Sequence, residues 1–176
     1  MQLIRCTEKL RQEMGLKDAD LFKCEIDDGR LGAWHANRIH IMGKKCVLFV
    51  NDKTLFNFLV PGVSRANIRN LDQMFLGHLH PVLAQEGFAV KQCELVASEY
   101  QKLAYAKSNS KSVLGSMNDL AFLYEHHICS AGSVHSAELP EIIQQLNQMP
   151  MSAIASIFPI AALRSHIALE EESKAT

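Results

Sequence analysis

The sequence has no C-x-x-C pair, no uninterrupted apolar run long enough to span a bilayer, few aromatics and almost no net charge. Each lack removes a class of protein. The cysteines Cys6, Cys24, Cys46, Cys93 and Cys129 are odd in number and scattered, so they supply neither a zinc ribbon nor a redox motif, and they read as reduced, mostly buried thiols. The most apolar late stretch, Met151 to Leu169, is interrupted by Pro159, Arg164 and His166 and reads as buried core. The opening MQLIRCTEKLRQEMG places charge where a signal peptide would be apolar, which argues against export and for a cytoplasmic protein. Aromatics make up only 7% of the chain and fall mostly within apolar runs, so no stacking platform for nucleic-acid bases stands out.

Catalytic and metal signatures are equally scarce. No glycine-rich phosphate loop or dinucleotide fingerprint occurs. The segment Leu114-Gly115-Ser116-Met117-Asn118 lacks the second glycine of a nucleophile elbow and falls in a helical pattern. His78 and His80 point about 200° apart on a helix, and His126 and His127 are adjacent, so neither pair makes a metal face. With H-E-x-x-H also absent, neither a metal nor another cofactor is expected.

What remains is ordinary globular material: 176 residues, 48% hydrophobic and 21% charged, expected to form one domain over residues 1–169 with a solvated tail over 170–176. Its charge is unevenly placed. Between Arg30 and Arg69 the bases Arg30, Arg38, Lys44, Lys45, Lys53, Arg65 and Arg69 face a single acid, Asp52. From Ser112 onward, seven acids face only Arg164 and Lys174. Such asymmetry points to an anionic partner, an acidic protein surface or nucleic acid, unless the two halves pair with each other on folding.

Periodicity gives the organisation. Leu3-Ile4 starts a strand, and Thr7 with Glu8 opens a helix ending near Gly15. Residues 31–42, 46–50 and 55–60 are apolar or alternating runs separated by Gly43-Lys44-Lys45 and Asn51-Asp52-Lys53-Thr54, the pattern of a β-meander closed by Pro61-Gly62. Residues 70–87 carry a helical period that Pro81 should break or kink, and residues 91–106 are ambiguous. The clearest helix spans 112–129 behind a serine cap, with shorter helices at 138–148 and 159–169. The fold expected is α+β, a small, mainly antiparallel sheet packed against several helices.

The segments LGAWHAN, CVLFVNDKTLFNFLVPG and KSVLGSMNDLAF resemble a family of bacterial proteins of about this length known only as a domain of unknown function. The resemblance runs over nearly the whole chain, through the W-H-A-N strand, the V-N-D-K-T hairpin, the S-V-L-G-S-M-N-D helix and Pro150-Met151. It implies a shared fold and extent and carries no established activity.

Two groups of residues are candidates for function. On the long helix, a step of about 100° per residue places Ser112, Ser116 and Asp119 in one polar stripe. Gly115 lies beside them near the N-terminus, as either a seat for a phosphate or carboxylate or a point of close packing. On the first long strand His35 and Asn37 share a face, as a buried hydrogen-bonded pair or as part of a cleft. An enzyme built here would use His35 as base, Asp52 or Asp119 as its orienting group, and Lys53, Lys107 or Lys111 against an anion, with Asn37 and Ser116 completing a site for a phosphate-containing or nucleic-acid substrate. A non-catalytic binding protein would instead present Arg38, Lys44, Lys45, Lys53, Arg65 and Arg69, with Gly115 available to an anion. The polar positions within apolar elements imply that His35 and Asp119 meet.

Overall fold

A computed structural model describes residues 1–24, 31–155 and 157–173. It is an α+β fold whose one open sheet has five strands in the order β4-β3-β2-β1-β5. The strands are β1 (Gln2–Cys6), β2 (Trp34–Ile41), β3 (Lys44–Asn51), β4 (Asn57–Val60) and β5 (Leu103–Lys107). Among the described residues there are seven α-helices: α1 (Glu8–Met14), α2 (Arg65–Arg69), α3 (Leu71–Gln85), α4 (Val90–Glu99), α5 (Lys111–Ala131), α6 (Leu139–Asn147) and α7 (Pro159–Ser173).

The meander is present, since β2, β3 and β4 pair antiparallel. Its first turn is tighter than the sequence suggests. Met42 and Gly43 alone link the strands, with φ of 48° and 73°, the doubly left-handed pair that matches strand twist in a two-residue hairpin. Lys44 and Lys45 are therefore strand residues. The sheet as a whole is mixed, because β1 runs parallel to both β2 and β5. The fifth strand comes from the ambiguous stretch, which divides into α4 and β5. A parallel neighbour needs a long crossover, and pairing across such sequence distances leaves no local signature.

Helix ends also move. The cap of α5 is Ser110, whose side chain accepts from the Val113 amide, so Ser112 is the second residue of the helix. Helix α3 runs through Pro81 without ending. Helix α7 continues to Ser173, so the tail expected over 170–176 starts within a helix, and 174–176 lie outside the described residues.

Register assigns the two faces, because directly opposed residues share a side. One row runs Asn57, Val50, His35, Arg5, Ala106. The opposite face carries Trp34, whose ring meets Phe58, Phe75 and Tyr100 at centroid distances of 5.6, 5.2 and 6.4 Å, and whose indole N–H donates to the Tyr100 hydroxyl. Thus α3 and the end of α4 cover the Trp34 face. Helix α5 covers the His35 face, where the Tyr124 hydroxyl donates to Asn57 Oδ1 at 2.8 Å. With layers on both sides, β3 is buried along nearly its whole length, as expected of an interior strand.

Candidate functional site

Arg38 and Lys45 sit on the Trp34 face near the hairpin, where α1 crosses them. Glu13 of α1 receives Lys45 Nζ at 2.6 Å and stands 3.6 Å from Arg38 Nη1. The Lys45 hydrogen bond holds the Glu13 carboxyl below the usual carboxylate range, helped by the charges of Lys45, Arg38 and Arg65. Arg65 and Arg69, on α2 packed beside α1, and Lys44, at the hairpin, are exposed. One carboxylate thus lies among several cations. Among the described residues Asp119, Glu125, Glu138 and Glu141 form no ion pair with this face or any other. The alternative in which the basic and acidic halves neutralise each other is not realised among those residues.

A second group forms beneath α5. His35 is wholly buried and its Nδ1 lies 2.6 Å from Asp52 Oδ1. Asp52 Oδ2 in turn faces Arg5 Nε at 3.3 Å. The three come from neighbouring strands: Arg5 opposes His35 in register, and Asp52 starts the turn after β3. The local sequence fixes that turn, for Asn51 Oδ1 accepts from the Lys53 and Thr54 amides and from the Thr54 hydroxyl, an Asx-type closure. Asn37 shares the His35 face as expected, but it accepts from the Thr7 hydroxyl at 2.7 Å instead of joining His35. That bond also takes the Thr7 side chain away from capping α1.

The α5 candidates do not join this group. The Asp119 side chain is exposed and makes no hydrogen bond or ion pair among the described residues, so the expected meeting with His35 fails; His35 has taken Asp52 instead. Ser116 is buried on the inner side of α5, whereas Ser112 and Gly115 are exposed and Lys53 lies on the outer turn. A Cβ at Gly115 would meet nothing within 4 Å, so close packing does not explain this glycine. His35, Asn37, Asp52, Lys53, Ser116 and Asp119 line none of the described cavities at β5, between α5 and α6, beside the β4–α2 turn or at the start of α1.

Four partners escaped the sequence reading: Arg5, Glu13, Asn57 and Asn147. Asn57 lies on β4, an edge of the sheet, and Asn147 of α6 supplies what a further strand would. Its Oδ1 accepts from the Asn57 amide at 2.9 Å, and its Nδ2 donates to the Asn57 carbonyl at 2.8 Å. A side-chain amide reproduces the paired donor and acceptor of a backbone. Arg5, the lone charged residue of β1, was the one available signal, since a buried arginine requires a partner.

Fold and site together define an α+β domain with a mixed sheet, a basic face on one side and a buried polar chain on the other. The chain belongs to the family described as Domain of unknown function (DUF6933), whose model matches residues 3–162. No curated protein matches it. Among the described residues, no helix is long and apolar enough to cross a membrane.

Proposed function

We propose that this protein is a non-catalytic binding or regulatory protein that presents its basic face to an acidic partner, a protein surface or a nucleic acid. The observation that carries the reading is Glu13 set among Lys45, Arg38 and Arg65, with Lys44 and Arg69 exposed nearby. Glu13 fixes Lys45 and Arg38 in place, and the surplus of positive charge faces solvent. Exposed cations of this kind steer an anionic partner and set its approach.

The alternative, a small enzyme acting on a phosphate-containing or nucleic-acid substrate, needed its polar residues around one cavity. They bond inward instead, His35 to Asp52 and Asn37 to Thr7, which favours binding. A cytoplasmic setting fits the buried thiols: burial pushes Cys6 up to about 12 and raises Cys46 and Cys93, so all three stay protonated and unreactive.

The test is an amide chemical-shift titration of the whole chain with two defined polyanions, polyglutamate and a short DNA duplex. Saturable shifts grouped around Lys44, Arg65, Arg69 and Glu13 with either probe are expected. Shifts scattered over the surface, or grouped at α5, would overturn the assignment of the face.

A further inference from the structure

Helix α5 turns a large aromatic side chain toward solvent. Phe122 is 70% exposed near the middle of the helix, while Tyr124 two residues on is wholly buried. A single exposed apolar side chain is ordinary, but this one has a counterpart. Gly115 lies two turns earlier, and seven steps of about 100° bring it to within about 20° of Phe122 around the helix. Gly115 is exposed, and a Cβ there would meet nothing within 4 Å. Glycine at such a position costs the helix stability that alanine would not. One line of α5 thus carries a protruding ring and, about 10 Å along the axis, a gap in which a ring would fit.

The polar groups beside that line are arranged in matching order. Lys111, Asn118 and Glu125 are spaced seven residues apart, are all exposed, and follow one flank. Lys111 is the first residue of the helix, where the macrodipole disfavours a cation. Among the described residues neither Lys111 nor Glu125 forms an ion pair. Turned end for end, this flank complements itself: lysine meets glutamate at both ends, and asparagine meets asparagine at the centre.

We infer that α5 docks antiparallel on α5 of a second copy of this chain, about a two-fold axis near Asn118 and Asp119. Phe122 of each copy enters the gap over the other's Gly115, and Lys111 of each pairs with the other's Glu125. Every contact is made twice, as an isologous interface requires. Asp119, on the opposite flank, faces its own copy across the axis and weakens the dimer. The contact runs along about 20 Å of helix. That is small for a protein interface, so association is weak, with a Kd on the order of 100 µM. Helix α5 covers the side of the sheet away from Lys45 and Arg38, so this face is separate from the basic one.

Sedimentation equilibrium of the whole chain between about 10 and about 500 µM tests this. The parent should fit monomer and dimer only. Phe122→Ser should weaken the dimer at least about tenfold. Gly115→Gln should do the same by filling the gap, yet it introduces a good helix former and should melt no lower than the parent in dilute solution. Lys111→Glu should weaken the dimer too, and adding Glu125→Lys should restore it, since the exchange keeps the pairing and reverses its direction. Asp119→Asn should tighten it, and K44S/R65S/R69S should dimerise as the parent does. A monomer over the whole range, growth beyond a dimer, a dimer unchanged in Phe122→Ser, loss of the dimer in K44S/R65S/R69S, or a double charge exchange no tighter than Lys111→Glu would each overturn the proposal.

Discussion

His35 Nδ1 and Asp52 Oδ1 stand 2.6 Å apart, and the other oxygen of Asp52 faces Arg5, so one partly exposed carboxylate serves two buried groups. A carboxylate only accepts, which places the hydrogen on His35 Nδ1. Replacing Asp52 with Ala leaves both partners buried without it and should cost about 3 kcal/mol. Asp52→Asn keeps the shape and one acceptor and should cost less. Urea unfolding of the two variants measures this; a loss below about 0.5 kcal/mol for Asp52→Ala would show that the chain contributes nothing to the fold.

Two glycines should respond in opposite ways. Gly115 lies exposed in α5 with open space where a Cβ would go, so Gly115→Ala should raise stability by about 1 kcal/mol through helix propensity alone. Gly62 has φ of +62° and a Cβ there would run into the His135 ring, so Gly62→Ala should destabilise. Thermal unfolding of both variants checks the pair. A lowered melting temperature for Gly115→Ala would mean that its surroundings are closer than described.

Asn147→Ala removes the amide that closes the free edge of β4. Since it strands the buried backbone N–H and carbonyl of Asn57 together, a cost of about 3 kcal/mol is expected. Asn147→Asp, which keeps the acceptor and loses the donor, separates the two halves of the bond. An Asn147→Ala variant as stable as its parent would show that water closes the edge equally well.

Much of the fold was legible because its signals are local. The hairpin strands, the Pro61-Gly62 stop and the α5 stripe of Val113, Met117, Leu120, Tyr124 and Ile128 follow from periods of two and of three to four residues. The parallel strands were not legible, since the pairing of Arg5 with His35 and Ala106 joins distant segments and leaves no mark on any window. The site divides in the same way. That His35 and Asn37 share a face follows from strand alternation, but their partners, Asp52 and Thr7, depend on where a turn and a helix start land in space. Asp119 misled because a polar residue between Met117 and Leu120 looks confined on a sequence axis, while on the helix it falls on the wet side.

Glu86, at the end of α3, gives a pH dependence. Its side-chain Oε1 is buried without a partner among the described residues, and burial raises its pKa above the usual carboxylate value of 4.5 although Arg164 works the other way. The fold therefore favours the protonated acid. Its contribution is fully present below about 4.5 and is lost as pH rises through the raised folded value. Glu86→Gln removes that loss, so the variant should be more stable than the parent at neutral pH, with the advantage vanishing in acid. Subtracting the two stability curves also cancels the opposite trends of Glu13 and Asp18, whose carboxyls Lys45 and Lys107 hold low. A constant difference across the range would contradict the burial of the Glu86 carboxyl.

The salt dependence of polyanion binding tests the basic face most directly. Lys45 is held by Glu13, so reversing it would place two carboxylates together; the clean variant is K44S/R65S/R69S, at positions that are all exposed. Binding of a labelled DNA duplex and of labelled polyglutamate is followed by anisotropy from about 50 to about 200 mM salt. The account predicts that the parent binds at least one probe, that affinity falls as salt rises, and that the triple variant binds at least about tenfold more weakly. If the duplex is the ligand, its slope of log affinity against log salt should be shallower by about 1 for each phosphate contact removed. No binding of either probe at the lowest salt, or salt-insensitive binding that the triple variant leaves unchanged, would contradict it.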